Sequence, residues 1–201
     1  METVNNTTEL TTTEPINGAI FAPAQFEHAQ RIAKVLSSSD LVPTQYKNNV
    51  ANTLVALEMA NRMGASPLMV MQNLHIIHGR PSWGSSFIIA SLNSCGRFST
   101  LRFIGDSNKC KAVATDKVTG ELLEGPTVSL EMAKAEGWLT KTGSKWQTMP
   151  ELMLKYRAAA FFGRLYAPEV LMGMQTAEEV IDITPIQPAS VDAINEKIKA
   201  K

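Results

Sequence analysis

One stretch constrains the fold more than any other: Lys145-Trp146-Gln147-Thr148-Met149-Pro150-Glu151-Leu152-Met153-Leu154-Lys155-Tyr156-Arg157-Ala158-Ala159-Ala160-Phe161-Phe162-Gly163-Arg164. Proline is tolerated in a first helical turn, so the spacing predicts one long helix over about 149–166, starting near Thr148. At about 100° per residue, Arg157 and Arg164 fall almost in line, roughly 10.5 Å apart along the axis. That separation suits contacts with two phosphates of one strand. Phe161 lies within about 40° of the same stripe, whereas Lys155 and Phe162 point to the opposite side. Both faces are therefore not expected to be buried. Ala158-Ala159-Ala160 and Gly163 keep the helix thin, open to close approach by a strand or another backbone. The residues alone equally allow a core helix whose arginines merely face solvent.

The rest of the chain punctuates itself with glycine, proline and serine. Residues 1–24 are rich in Thr, Asn, Pro and Glu without apolar periodicity, and read as a flexible arm dispensable for folding. Apolar residues recur at helical spacing from Ala24 to Leu36, and Ser37-Ser38-Ser39-Asp40 breaks that helix. A second helix is expected from about Thr44 to Met63, with Gly64 ending it in the left-handed conformation. Ser66 then caps a short helix with Pro67 at its first position. Leu74–His78 reads as a strand turned by Gly79-Arg80-Pro81, and 86–95 as a helix stopped by Gly96. Strands follow at Phe98–Ile104, Lys109–Ala114 and about Glu121–Ser129, then a short helix at 130–136 before the long one. The expected class is α+β: a small antiparallel sheet of three to four strands, including a hairpin, packed with helices. One domain over 25–182 and a short tail at 183–201 complete the expectation.

Charge sharpens the functional reading. The chain carries 19 basic and 19 acidic residues, which by itself argues against a polyanion partner. The distribution argues for one. Residues 1–24 hold three acids and no base, and 175–201 hold five acids and three bases, leaving 16 bases against 11 acids in 25–174. Arg62, Arg80, Arg97, Arg102, Lys109 and Lys111 stand against Asp106 alone, and Lys141, Lys145, Lys155, Arg157 and Arg164 against Glu151 alone. Two basic blocks between acidic ends fit a polyanion groove. No apolar run reaches membrane-spanning length and no signal peptide is present, so a cytoplasmic protein with reduced Cys95 and Cys110 is expected.

The pattern Trp146, Pro150, Met153-Leu154, Lys155, Arg157-Ala158 and Arg164 resembles the signature helix of the RecT/Redβ superfamily of phage single-strand annealing proteins. Met63-Gly64-Ala65-Ser66-Pro67, His78-Gly79-Arg80-Pro81-Ser82-Trp83-Gly84 and Phe87-Ile88-Ile89 are similar to that family's turn, hairpin and second helix. The resemblance spans about 45–182. It implies a bacterial-host protein that binds single-stranded DNA, holds an annealed duplex intermediate and assembles into rings or helical filaments. It implies no ATP and no required cofactor, Mg²⁺ being at most a stimulant. Lys155, Arg157 and Arg164 would bind the phosphate backbone, with Trp146 beneath the helix or against DNA. Lys145, Arg80, Arg97, Arg102, Lys109 and Lys111 are further candidate contacts, those of 97–128 resting on strand character alone. A phage exonuclease and the host single-strand binding protein are the implied partners, met through a C-terminal region of which only 183–201 remain here.

Two other classes stand beside this reading. A metal-dependent enzyme would use His75 and His78, but in a strand their rings point to opposite faces, and no H-E-x-x-H accompanies them. No phosphate-gripping loop and no G-x-S-x-G nucleophile motif occurs. A structural ring or filament protein would share the helices and the oligomer without the basic groove.

Overall fold

The computed structural model describes residues 23–183, so the expected arm and tail lie outside the described residues except at their inner ends. The chain divides into two compact units, residues 1–72 and 73–201. The first contains α1 (Pro23–Ser37), a 3₁₀ turn at Thr44–Tyr46, α2 (Val50–Met63) and α3 (Pro67–Asn73, whose last residue opens the second unit). α1 ends as its serine run dictates: the Ser37 and Ser38 hydroxyls donate back to the Lys34 and Val35 carbonyls. The helix expected over 44–63 is interrupted. Asn48 takes a φ of 54°, and Asn49 restarts the chain by accepting the Asn52 N–H at 3.0 Å. Gly64 ends α2 at φ 60°, as its position foretold. α1 packs on α2, and small buried residues (Ala29, Ala33, Ala56, Ala60) allow close approach.

The second unit opens with a hairpin of β1 (Leu74–Ile77) and β2 (Arg80–Trp83), in register Leu74 to Trp83. Its turn is His78-Gly79, both at positive φ, so Arg80 and Pro81 lie in the strand rather than in the turn expected for them. α4 (Ser85–Ser94) follows. The four-stranded sheet comprises β3 (Arg102–Gly105), β4 (Lys109–Thr115), β5 (Leu122–Glu124) and β6 (Val128–Ser129). β4 is central: β3 pairs antiparallel with one edge, and β5 and β6 share the other. The strand expected over 98–104 is shorter, because Phe98 makes only an isolated bridge to Asp116. The one expected near 121–129 is split where Gly125-Pro126 interrupts pairing. Gly105 cannot be replaced cheaply; at φ +155° a Cβ would sit 2.0 Å from the Lys109 carbonyl oxygen.

After the sheet come α5 (Leu130–Ala135), a 3₁₀ turn at Trp138–Thr140, α6 (Lys145–Thr148), α7 (Pro150–Tyr166), α8 (Pro168–Leu171) and α9 (Ala177–Ile183). The fold is α+β. α7 is the spine of this unit, packed on β4 and on α4. The alternation of Cys110, Ala112 and Ala114 buries one sheet face. Phe98 and Phe162 meet edge-on at 5.5 Å in the core. Gly163 lets α7 come close to its neighbours: a Cβ there would lie 2.7 Å from Leu171 Cδ1 and 3.2 Å from Leu92 Cδ1. The two sides of α7 are nevertheless covered at Arg157 and at Phe162, each of which is buried. The expectation of one open face fails because α9, unforeseen in the sequence, lies over the arginine side.

Candidate nucleic-acid interface

α7 begins at Pro150, which occupies the first turn without needing its missing N–H. The preceding residues do not extend it backwards. They form the separate α6, capped by Ser144, with Met149 as the break between the two. This break turns Trp146 inward, where it is 1% exposed and stacks at 5.1 Å on Trp138.

Arg157 projects into the pocket these rings make. Its guanidinium lies 3.9 Å from the centroid of Trp138 and 5.8 Å from that of Trp146. Nη2 donates to Asp182 Oδ2, and Nε stands 4.0 Å from Glu179 Oε1. Asp182 accepts a second bond from Trp146 Nε1 at 2.8 Å. Only 4% of Arg157 is exposed. Burial lowers the Arg157 pKa from its ordinary value against the pull of Glu179 and Asp182. Burial likewise pushes the Asp182 carboxyl upward, against Trp146 N–H and Arg157. Both partners are strained toward neutrality by the same cause, loss of water.

Arg164, one heptad on, has a different setting. Its Nη2 donates to both oxygens of Glu179 at 2.6 Å, yet 43% of its side chain is exposed. It lines an open groove of about 480 Å³ with Arg80, Pro81, Gly173, Met174, Gln175 and Val180. Arg80 is exposed, and its guanidinium has no ion pair among the described residues. The arginine stripe is therefore open only at its outer end.

The acids closing the inner end come from α9, whose N-terminus is a capping box. The Glu179 N–H donates to Thr176 Oγ1 at 3.0 Å, and Glu179 Oε2 accepts from the Thr176 N–H at 3.0 Å. The sequence Thr176-Ala177-Glu178-Glu179 carries this signal, although the expected elements include no helix there. Lys141 Nζ donates to the Ile181 carbonyl, and Ser85 Oγ to Glu178, so both ends of α9 are tied down.

The remaining candidate residues are dispersed. Arg97 is bound at the end of α7: it donates to the Tyr166 carbonyl at 2.6 Å and pairs with Asp116 at 3.3 Å. Lys111 is paired with Glu124 at 2.5 Å across β4 and β5. Arg102 and Lys109 are exposed on the sheet without an ion pair among the described residues. Lys145 is exposed at the start of α6. Lys155 is exposed on α7, on the side of Cys110, whose thiol burial pushes upward. His78 sits in the hairpin turn rather than in β1 with His75. The structure thus brings together Arg80 and Arg164 at the groove, and Trp146 with Arg157 beneath it; the others are not gathered with them.

No family model matches the chain, and no curated protein matches it. No helix among the described residues is long and apolar enough to cross a membrane.

Proposed function

We propose that this protein binds single-stranded DNA through its phosphate backbone and pairs complementary strands without nucleotide fuel, as in phage-type recombination. The observation that carries the reading is the groove between Arg80 and Arg164, with one guanidinium in no ion pair among the described residues and the other half-open. Forked donors suit phosphate, and gripping the backbone leaves base edges free to find their complement. The resemblance of 146–164 to the annealing-protein helix supports the same reading. With it go assembly into a ring or filament and a bacterial-host setting. Base pairing itself supplies the free energy of the product.

The test is a fluorescence-anisotropy titration with a labelled oligonucleotide at several salt concentrations, followed by addition of the complementary strand. Log affinity is expected to fall linearly with log salt, by about 0.7 per phosphate contacted, and duplex to form with no ATP present. Salt-independent affinity for one sequence, or annealing only with ATP, would contradict the reading. A second reading, a structural ring or filament component, is favoured by one observation: Asp182 and Glu179 already neutralise the inner arginine. It expects assembly with no affinity for oligonucleotide.

A further inference from the structure

Arg164 has one engaged nitrogen. Nη2 serves both oxygens of Glu179, and neither Nε nor Nη1 is bonded among the described residues. Glu179 cannot follow a moving partner. Its carboxylate is 3% exposed, and Oε2 also accepts the Thr176 N–H at 3.0 Å and the Thr176 hydroxyl at 3.2 Å. The capping box locks that carboxylate to the first turn of α9, and α9 is fastened through Asp182 to Trp146 and Arg157. A guanidinium held at Nη2 by a rigid carboxylate, with the Phe161 ring 5.6 Å away, keeps Nε and Nη1 available to the groove. Arg80 supplies a second guanidinium to the same groove, with Val180 and Pro81 as apolar wall. Each such fork matches one phosphodiester, and donors ordered beforehand lose less freedom on binding.

We infer that Glu179 is a positioning residue, which aims Arg164 at one phosphodiester of single-stranded DNA while Arg80, in the same groove, meets another. This rests on the proposed function, since the ligand is that of the same groove. The carboxylate does not touch the phosphate; it acts through Arg164. A rival role follows from the same contact: Glu179 as a phosphate mimic that competes with DNA for Arg164. The two roles predict opposite signs.

The experiment is a salt titration of the full chain by anisotropy with fluorescein-labelled oligothymidylate, with circular dichroism as the folding control. Glu179→Gln keeps the capping box and an acceptor for Nη2, and is expected to bind within about twofold of wild type. Glu179→Ala should bind about tenfold more weakly and lose about 0.7 of the salt slope, matching Arg164→Ala. The double variant should be no weaker than Arg164→Ala alone, because both act through one guanidinium. Tighter binding by either Glu179 variant overturns the inference in favour of competition, and losses that multiply in the double variant overturn it as well. If Glu179→Ala does not fold, Arg164→Lys decides. A lysine keeps the charge, but its single nitrogen cannot hold Glu179 and face the phosphate together, so about tenfold weaker binding is expected and wild-type affinity overturns it. A wild-type chain with no salt-dependent binding fails the proposed function and this inference with it. Wild-type binding with unaltered variants fails the inference only.

Discussion

Arg157 and Arg164 stand on one face of one helix and approach the same carboxylate, yet their surroundings are opposite. Around Arg157 two indole rings and two acids exclude water, leaving 4% of the residue exposed. Arg164 has 43% of its side chain in solvent and borders a groove shared with Arg80. The difference lies in α9: it runs across the inner arginine and stops short of enclosing the outer one. An arginine's task is thus decided by what the chain lays over it, and helical phase alone cannot distinguish a structural cation from a binding one.

The strongest way to break the comparison is Arg157→Ala. It would leave Asp182 and Glu179 buried beside an apolar hole, at an expected cost of about 3–5 kcal/mol in urea unfolding. A loss below about 1 kcal/mol would mean the inner end is as solvated as the outer. Trp146→Phe keeps most of the ring packing and removes the Nε1 donor to Asp182; about 1–3 kcal/mol is expected in the same measurement. An unchanged midpoint would show that Asp182 finds another donor.

A smaller effect separates two acids by pH. Asp116 accepts the N–H groups of Val118 and Thr119, which lead Arg97 in holding its carboxyl below the ordinary 3.8. Its contribution is therefore present above that value and lost as pH falls through the lowered one. Asp182 runs the other way. Raised by burial above the same 3.8, it keeps its proton longer in the native state, and its contribution declines as pH rises from there through the raised value. The stability gap between wild type and Asp116→Asn should accordingly narrow as pH falls from 3.8 through the lowered value, whereas Asp182→Asn should not show that narrowing. Parallel profiles for the two variants would contradict the assignment of their environments.

Much of the architecture was legible in local chemistry. Pro150 placed the start of α7 to within two residues, and Gly64 marked the end of α2. The site was legible only in part. Spacing put Arg157 and Arg164 on one stripe, but α9 is seven residues long, three of them acidic, too short to show apolar periodicity. By composition its acids belong to an acidic end of the chain, yet Glu179 and Asp182 are buried counter-ions. The sequence leaves open whether Trp146 lies beneath the helix or against DNA; Met149 breaks the backbone and turns the indole beneath Arg157. Both concern contacts distant in sequence, which periodicity does not encode.

The central claim, that the outer end of the stripe meets the phosphate backbone, is tested most directly by the salt slope of an Arg80→Ala, Arg164→Ala double variant. Measured by anisotropy on single-stranded DNA beside wild type, with circular dichroism showing a folded chain, the slope should fall by about 1.4, two contacts' worth. A folded double variant that keeps the wild-type affinity and slope would place the DNA site elsewhere on the molecule.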